Sequence, residues 1–234
     1  MLEDILRSGF EELGIACDSQ AYERFRAYYT DLDEVNKVMN LTAITGEEDS
    51  ARLHFLDCAA LLRSVDLSGK SVIDVGTGAG FPGLVLKIVD PSAKLTLLDS
   101  LDKRISFLES VCRRIGLEDV SCIHARAEEI PPAMRESFDV VTSRAVAGLN
   151  VLSEMCLPFV RPGGVFIAMK GPEFDEELES AKSAIKELGG KTESCETYTI
   201  PGTDIRHSVI IIRKKHETPS KYPRRWAQIK KKPL

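Results

Sequence analysis

Apolar residues along this chain follow two different spacings, and the change from one to the other divides it. Through about residue 65 they recur every three or four positions, the helical spacing. Asp4 to Leu13 reads as a first helix stopped by Gly14. Ser19 to Met39 reads as a second, with Tyr22, Phe25, Tyr29, Leu32 and Val35 near helical spacing, and roughly Ser50 to Val65 as a third. After Gly69 the pattern becomes short β-rich runs alternating with helical stretches. Ser71-Val72-Ile73-Asp74-Val75 is apolar enough for a strand covered on both faces. A helix is expected from about Pro82, where proline suits the first turn. Further strands are predicted at 94–98, 120–124, 138–143 and 165–169, with helices at 102–115, 149–160 and 173–188. Arg161-Pro162-Gly163-Gly164 reads as a turn. Two last strands, near 191–199 and 207–213, have no helix between them and are expected to pair antiparallel. Repeated βα units of this kind predict a doubly wound α/β fold. The expected sheet has seven strands, mostly parallel, with an antiparallel edge pair and an N-terminal helical extension. The divisions expected are 1–66 for the extension, 67–214 for the main domain and 215–234 for a tail.

The chemistry suggested by this frame sits beyond the carboxyl ends of the strands, where open α/β sheets bind ligands. The loop after the first strand is Gly76-Thr77-Gly78-Ala79-Gly80-Phe81-Pro82-Gly83. Glycines there let the backbone turn sharply and approach a ligand closely. Asp99 closes the next strand, placed to accept hydrogen bonds from two ribose hydroxyls. Dinucleotide enzymes share such a loop, so the loop alone leaves three readings open: an S-adenosylmethionine site, a nucleotide-dependent oxidoreductase, and glycines that serve packing. Two details favour the first. The glycines follow G-x-G-x-G, with acidic Asp74 two residues ahead, and bulky Phe81 and Pro82 stand where a dehydrogenase needs a helix N-terminus open to pyrophosphate. A Rossmann-like class I methyltransferase is therefore the expected fold. Further along the sheet, Ala127 and Glu128 follow the third strand, where adenine would lie. Arg144 ends the fourth strand and Lys170 the fifth, where this architecture keeps its reacting groups. Each of these three polar side chains has a structural or solvated alternative on spacing alone.

Composition narrows the setting. A chain of 234 residues can bury one full-sized core. No apolar run approaches the length that crosses a bilayer, and the N-terminus lacks the layout of a signal peptide. A cytoplasmic protein without a membrane partner is expected. The six cysteines, at 17, 58, 112, 122, 156 and 195, form no CxxC, so neither a metal site nor a redox pair is expected. No obligate protein partner is evident. The net charge of −5 conceals an asymmetry: residues 213–234 hold nine Lys or Arg against one Glu, a net +8, leaving −13 for the rest. An acidic body with a basic tail marks polyanion contact or a solvated tail, and composition does not choose between them.

The absence of Asn-Pro-Pro-Tyr or Asp-Pro-Pro-Tyr after the fourth strand removes the usual grip on an exocyclic amine, and no Pro-Cys supplies a thiolate. Instead the strand ends Thr142-Ser143-Arg144-Ala145-Val146. That favours a substrate atom with a free lone pair, such as guanine N7, and catalysis by alignment.

Several segments together resemble one family, the bacterial small-subunit ribosomal RNA methyltransferase G, or glucose-inhibited division protein B, family. These are Asn36-Lys37-Val38-Met39-Asn40-Leu41-Thr42-Ala43-Ile44, His54-Phe55-Leu56-Asp57, Asp74 through Pro82, Asp99-Ser100, Ala127-Glu128, Ser143-Arg144-Ala145 and Lys170-Gly171. The closing Lys221-Tyr222-Pro223-Arg224-Arg225 and Lys232-Pro233-Leu234 are also similar, while Val35 and Trp226-Ala227-Gln228-Ile229 depart from the family pattern. The resemblance implies methyl transfer from S-adenosylmethionine to N7 of a guanine in 16S ribosomal RNA, near the decoding region. By the match Gly76, Phe81, Ala127, Glu128 and Arg144 are cofactor-pocket residues, joined by Gly78, Gly80 and Asp99 from the loop reading. Arg144 and Lys170 are the candidate catalytic groups. The tail is then expected to meet RNA through Lys221, Tyr222, Arg224, Arg225, Lys230, Lys231 and Lys232. The partner is 16S RNA or the 30S subunit. Two other functions compete: a methyltransferase for another substrate, and an RNA-binding assembly factor with a vestigial cofactor site. His54 and Asp57, three apart on a predicted helix, are expected to form a structural pair.

Overall fold

The computed structural model describes residues 1–144 and 147–234. Ala145 and Val146, part of the segment read above as following the fourth strand, lie outside the described residues. Five strands run parallel: β1 (Ser71–Val75), β2 (Lys94–Asp99), β3 (Val120–His124), β4 (Phe138–Arg144) and β5 (Val160–Lys170). Strand β7 (Arg206–Lys214) lies antiparallel between β5 and β6 (Gly190–Thr199), giving the order β3-β2-β1-β4-β5-β7-β6. The order reverses beside β1, so the crevice between the β1 and β4 ends is the expected ligand site.

Helices α1 (Leu2–Leu13) and α2 (Ser19–Met39) form as their spacing predicts, α2 capped by Asp18, whose carboxylate accepts from the Ala21 N–H at 2.7 Å. The third helical run is continuous but irregular. It passes from α3 (Glu47–Asp49) through a π-helical stretch, Ser50–Leu56, into α4 (Asp57–Ala59) and a 3-10 turn, Ala60–Arg63. Helices α5 (Gly83–Val89) and α6 (Asp102–Arg114) share one face of the sheet with these N-terminal helices. Val72, Leu95, Leu97, Val140 and Ile167 point to that side, where Phe10, Phe25, Tyr28 and Phe55 complete a single core.

Strand alternation sends Ile73, Val75, Val141, Phe166 and Ile210 to the other face, under α7 (Leu149–Cys156) and α8 (Asp175–Glu187). The α7 segment is shorter than its apolar pattern suggests. After Cys156 the chain tightens into a 3-10 turn and, at Val160, joins β5, where Val160 pairs with Phe138. The predicted turn at Arg161-Pro162-Gly163-Gly164 is thereby drawn into the start of β5, at an irregularity in its register with β4.

The last twenty residues are structured. Tyr222 and Ile229 are buried, and residues 226–231 form α9 (Trp226–Lys231). Arg135 donates to the carbonyls of Tyr222 and Thr218 at 2.7 Å each. Arg224 makes a two-pronged ion pair with Glu154 of α7, which is fully buried. No helix among the described residues is long and apolar enough to cross a membrane.

Candidate cofactor cleft and the Arg144 network

Asp74 organises the loop that follows its own strand. One carboxylate oxygen accepts from the Thr77 hydroxyl at 2.7 Å and from the Gly83 N–H at 2.9 Å, and the other from Thr142 Oγ1 at 3.1 Å. The turn is thus held at both ends by one buried side chain. Burial raises the Asp74 pKa to about 6, against the hydrogen bonds from Thr77, Gly83 and Thr142 that pull it down. Gly76 and Thr77 also donate to the Leu98 carbonyl, which ties the loop to β2.

Within that turn the glycines do different work. Gly78 has φ of 62°, a left-handed conformation, and a Cβ added there would meet nothing within 4 Å. A ligand can therefore approach its backbone. Gly80 has φ of 109°, and a Cβ there would come within 2.9 Å of Tyr28, Leu84 and Leu108. Gly80 belongs to the packing beneath the loop and does not line the cleft, which corrects the expectation that it touches the cofactor.

A cleft of about 490 Å³ opens above β1 and β2. Gly76, Gly78, Phe81, Asp99, Ala127, Glu128 and Arg144 all line it. Asp99 is buried and accepts from the Gly78 N–H and the Leu101 N–H, each at 2.9 Å, with Arg104 Nη1 at 3.2 Å. Three donors on a carboxylate with about four lone-pair sites fix its orientation and leave capacity for a hydroxyl. Arg104 and Met155 line the same cleft and escaped the sequence reading, because no local pattern places them near β1; Thr42 and Trp226, which stand in segments compared with the family pattern, line it too. Trp226, carried by the tail to the rim, is 38% exposed.

Arg144 sits at the far end, its side chain 17% exposed. Nη1 donates to the Leu53 carbonyl at 3.2 Å and to Asp57 Oδ2 at 3.3 Å, and Nη2 donates to His54 Nδ1 at 2.9 Å. Because a guanidinium has only donors, His54 Nδ1 must accept, so Nε2 carries the proton and donates to Thr42 Oγ1 at 2.9 Å. Burial, and then the positive Arg144, push the His54 pKa down to about 3. The neutral ring stacks on Phe81 at 4.1 Å between centroids, and the guanidinium lies 4.9 Å from the same phenyl ring. His54 and Asp57 do not pair with each other, as their spacing had suggested; each holds Arg144 instead. The Asn36 side chain in turn bonds both backbone groups of Thr42, at 2.9 and 3.0 Å. Asn36, Thr42, His54, Asp57 and Arg144 thus form one network, although a hundred residues separate its ends.

Fully buried Asp57 also accepts from Tyr198 at 2.6 Å and from His207 Nδ1 at 2.8 Å. The hydrogen bond that His207 donates to Asp57 holds the His207 pKa above its ordinary value. Lys170, expected as a reacting group or a solvated one, is mostly buried and donates to Glu177 and to the Ala147 carbonyl, both at 2.7 Å. Arg144, Lys170 and His207 surround a second cavity of about 420 Å³ beside the first.

The tail divides. Lys221, Arg225, Lys230, Lys231 and Lys232 are exposed. Tyr222 is buried and Arg224 is committed to Glu154, so neither has the freedom to stack on a base or reach a phosphate that the sequence reading gave it.

A seven-stranded sheet with β7 reversed, a glycine turn at the switch point and an acidic side chain ending β2 define a class I methyltransferase. A family model described as rRNA small subunit methyltransferase G matches residues 21–208. The ribosomal RNA small subunit methyltransferase G of Alkaliphilus metalliredigens is 48% identical over 233 residues, covering 98% of each chain. Its counterparts in Clostridium tetani and Acetivibrio thermocellus are 45% and 46% identical, covering 99% and 100% of this chain and 98% and 97% of theirs. The chain belongs to the ribosomal RNA small subunit methyltransferase G family. Solved structures share the fold at lower identity. The ribosomal protein L11 methylase of Lactobacillus delbrueckii aligns with a TM-score of 0.54 at 16% identity, over 70% of this chain and 80% of that one. A precorrin-6y C5,15-methyltransferase from Geobacter metallireducens aligns with a TM-score of 0.53 at 14% identity, over 74% and 91%.

Proposed function

We propose that this protein methylates N7 of a guanine in 16S ribosomal RNA, near the decoding region, with S-adenosylmethionine as donor. The donor supplies a methyl group on a sulfonium; the N7 lone pair takes it as the carbon–sulfur bond breaks, leaving a thioether and a cationic purine, and no proton moves. The cleft fits such a donor: an open backbone at Gly78, the Asp99 carboxylate for a ribose, and Ala127 and Met155 as apolar walls.

The observation that carries this reading is the state of the imidazole on the cleft wall. Both nitrogens of His54 are engaged, Nδ1 by Arg144 and Nε2 by Thr42, so the ring offers no free lone pair to take a substrate proton. An acceptor that keeps a free lone pair needs no general base. The chain's own contribution is then orientation, worth up to roughly 7–11 kcal/mol in favourable systems. Arg144, held by Asp57 and His54, is a positioning group at the meeting of the two cavities, and Lys170 flanks it. The division into a helical extension (1–66), a cofactor-binding domain (67–214) and a basic tail (215–234) is part of the same proposal. So are contact of the tail with RNA and a cytoplasmic setting, where 30S subunits assemble.

Tritiated methyl transfer to 30S subunits and to naked 16S RNA, followed by nucleoside analysis, tests the proposal. Label in 7-methylguanosine is the expected outcome. Label in any other nucleoside, or none in either substrate, overturns it.

A further inference from the structure

We infer that the cavity beside the cofactor cleft, walled by Arg144, Lys170, His207, Ile44, Met169 and Ile205, is the receptacle for the methyl-accepting guanine, extruded from its RNA. The inference rests on the proposed function and adds where the base binds and what selects it. Arg144 lines both this cavity and the cofactor cleft, so the two open on one side chain. A methyl group passing from one occupant to the other must cross at such a junction. N7 of a paired guanine lies in the deep, narrow groove of A-form RNA, so the base has to leave the helix to be reached.

The chemistry of the walls matches guanine. Apolar Ile44, Met169 and Ile205 offer faces for a purine ring. The polar contributions from β4, β5 and β7 are Arg144, Lys170 and His207. The carboxylate behind them, Asp57, is taken up by Arg144, Tyr198 and His207. Of the five guanidinium N–H groups of Arg144, three are engaged with Leu53, Asp57 and His54. Two have no acceptor among the described residues and remain to donate. Guanine shows two adjacent acceptors, O6 and N7, on one edge, whereas adenine shows a donor beside its N7. A donor-rich wall therefore holds O6 while N7 faces the methyl group, and it rejects adenine. His207 Nδ1 is fixed by Asp57, which leaves Nε2 to donate when the ring is protonated. Asp57, Tyr198, Arg144 and Lys170 are the ionisable groups around it.

Two measurements test the pocket. Ile205 is 43% exposed, so Ile205→Trp fills the cavity without disturbing the core. The variant is expected to lose about tenfold or more in kcat/KM for RNA, the scale of a misfit in a specificity pocket. Its S-adenosylmethionine affinity by calorimetry should stay at the wild-type value. In parallel, 16S RNA carrying 6-thioguanine at the target is irradiated on the wild-type enzyme and the cross-linked peptide is mapped. Cross-links are expected in the segments holding Ile44, Met169-Lys170-Gly171 or Ile205-Arg206-His207. Wild-type methylation of guanine with unchanged kcat/KM in Ile205→Trp, or cross-links confined to other segments, overturns the pocket alone. Failure of the wild type to methylate guanine overturns the functional reading itself.

Discussion

At Arg144, Asp57 and His54 the fold keeps a cation, an anion and a neutral ring out of water together, and each is tolerable because of the others. A charge isolated by burial is costly, and removing one partner of a buried pair typically destabilises by about 3–5 kcal/mol. Asp57→Ala is therefore expected to lower stability by about that amount in urea unfolding. It should also bring the His207 pKa, followed by NMR, down toward its ordinary value. A His207 titration unchanged in the variant would contradict the Asp57 assignment. His54 gives a pH prediction of definite sign. Its folded pKa of about 3 lies below the ordinary 6.5, so the unfolded chain binds the extra proton. Stability from His54 is complete above about pH 6.5 and drains away as pH falls toward 3. Asp74, raised from 3.8 to about 6, acts in the opposite direction between those values, so the two must be separated by a variant. The stability of His54→Gln should depend less on pH between 6.5 and 3 than that of the wild type; identical slopes would refute the neutral, buried ring. At the donor site, Asp99→Ala removes an acceptor that is itself held by Gly78 and Leu101. Calorimetry should show S-adenosylmethionine binding weakened by about 1–3 kcal/mol. Most of these residues were legible one at a time. Asp99, Phe81 and Arg144 sit in motifs with fixed strand positions. Arg104 and His207 were not, because what brings them to the site is tertiary.

Among the elements, the strands were readable because a buried parallel strand has little choice but an apolar run, and β3 matches its prediction residue for residue. Misreadings cluster where local preference and pairing disagree. Arg161-Pro162-Gly163-Gly164 has turn chemistry, yet Val160 finds a partner in Phe138 across the sheet and the strand starts early. The π-helical stretch Ser50–Leu56 carries no sequence signature, and it leads into Asp57, so that His54 and Asp57 both reach Arg144. The tail is the largest departure from a composition-based reading. Its net positive charge left polyanion contact and solvation both open and gave no sign of docking, whereas Arg224 finds Glu154, 70 residues away, and Tyr222 and Ile229 enter the core. Arg224→Ala leaves Glu154 buried without its cation, a loss of up to about 3–5 kcal/mol. The expected expression of that loss is local, because the tail can lift and admit water to Glu154. Hydrogen exchange should accelerate across residues 219–234 while β1, β4 and β5 stay protected. Uniform acceleration throughout the chain would mean that the tail is integral to the global fold.

For the whole molecule, the charge asymmetry acquires a geometry. The body carries net negative charge, yet the tail places Trp226 on the rim of the cofactor cleft and turns Arg225, Lys230, Lys231 and Lys232 outward beside it. An acidic protein that must find an RNA needs its cations grouped near the point of chemistry, since exposed charges are screened within about 8–10 Å at ordinary ionic strength. The docked tail does this without a loop-ordering cost on binding, because Arg224, Tyr222 and Ile229 already hold it. Lysines on such a surface bind phosphates by releasing counterions, so their number appears in the salt dependence of affinity. The slope of log K against log salt is about −0.7 per phosphate contact on single-stranded RNA. Replacing Lys230, Lys231 and Lys232 together with Gln is therefore expected to make that slope shallower by about 2 if all three touch phosphate. The substitutions leave Ile229 and the Arg224–Glu154 pair in place, so S-adenosylmethionine affinity and thermal stability should not change. A slope unaltered by the triple substitution would assign these three lysines to solvent and move the RNA path to another face of the cleft.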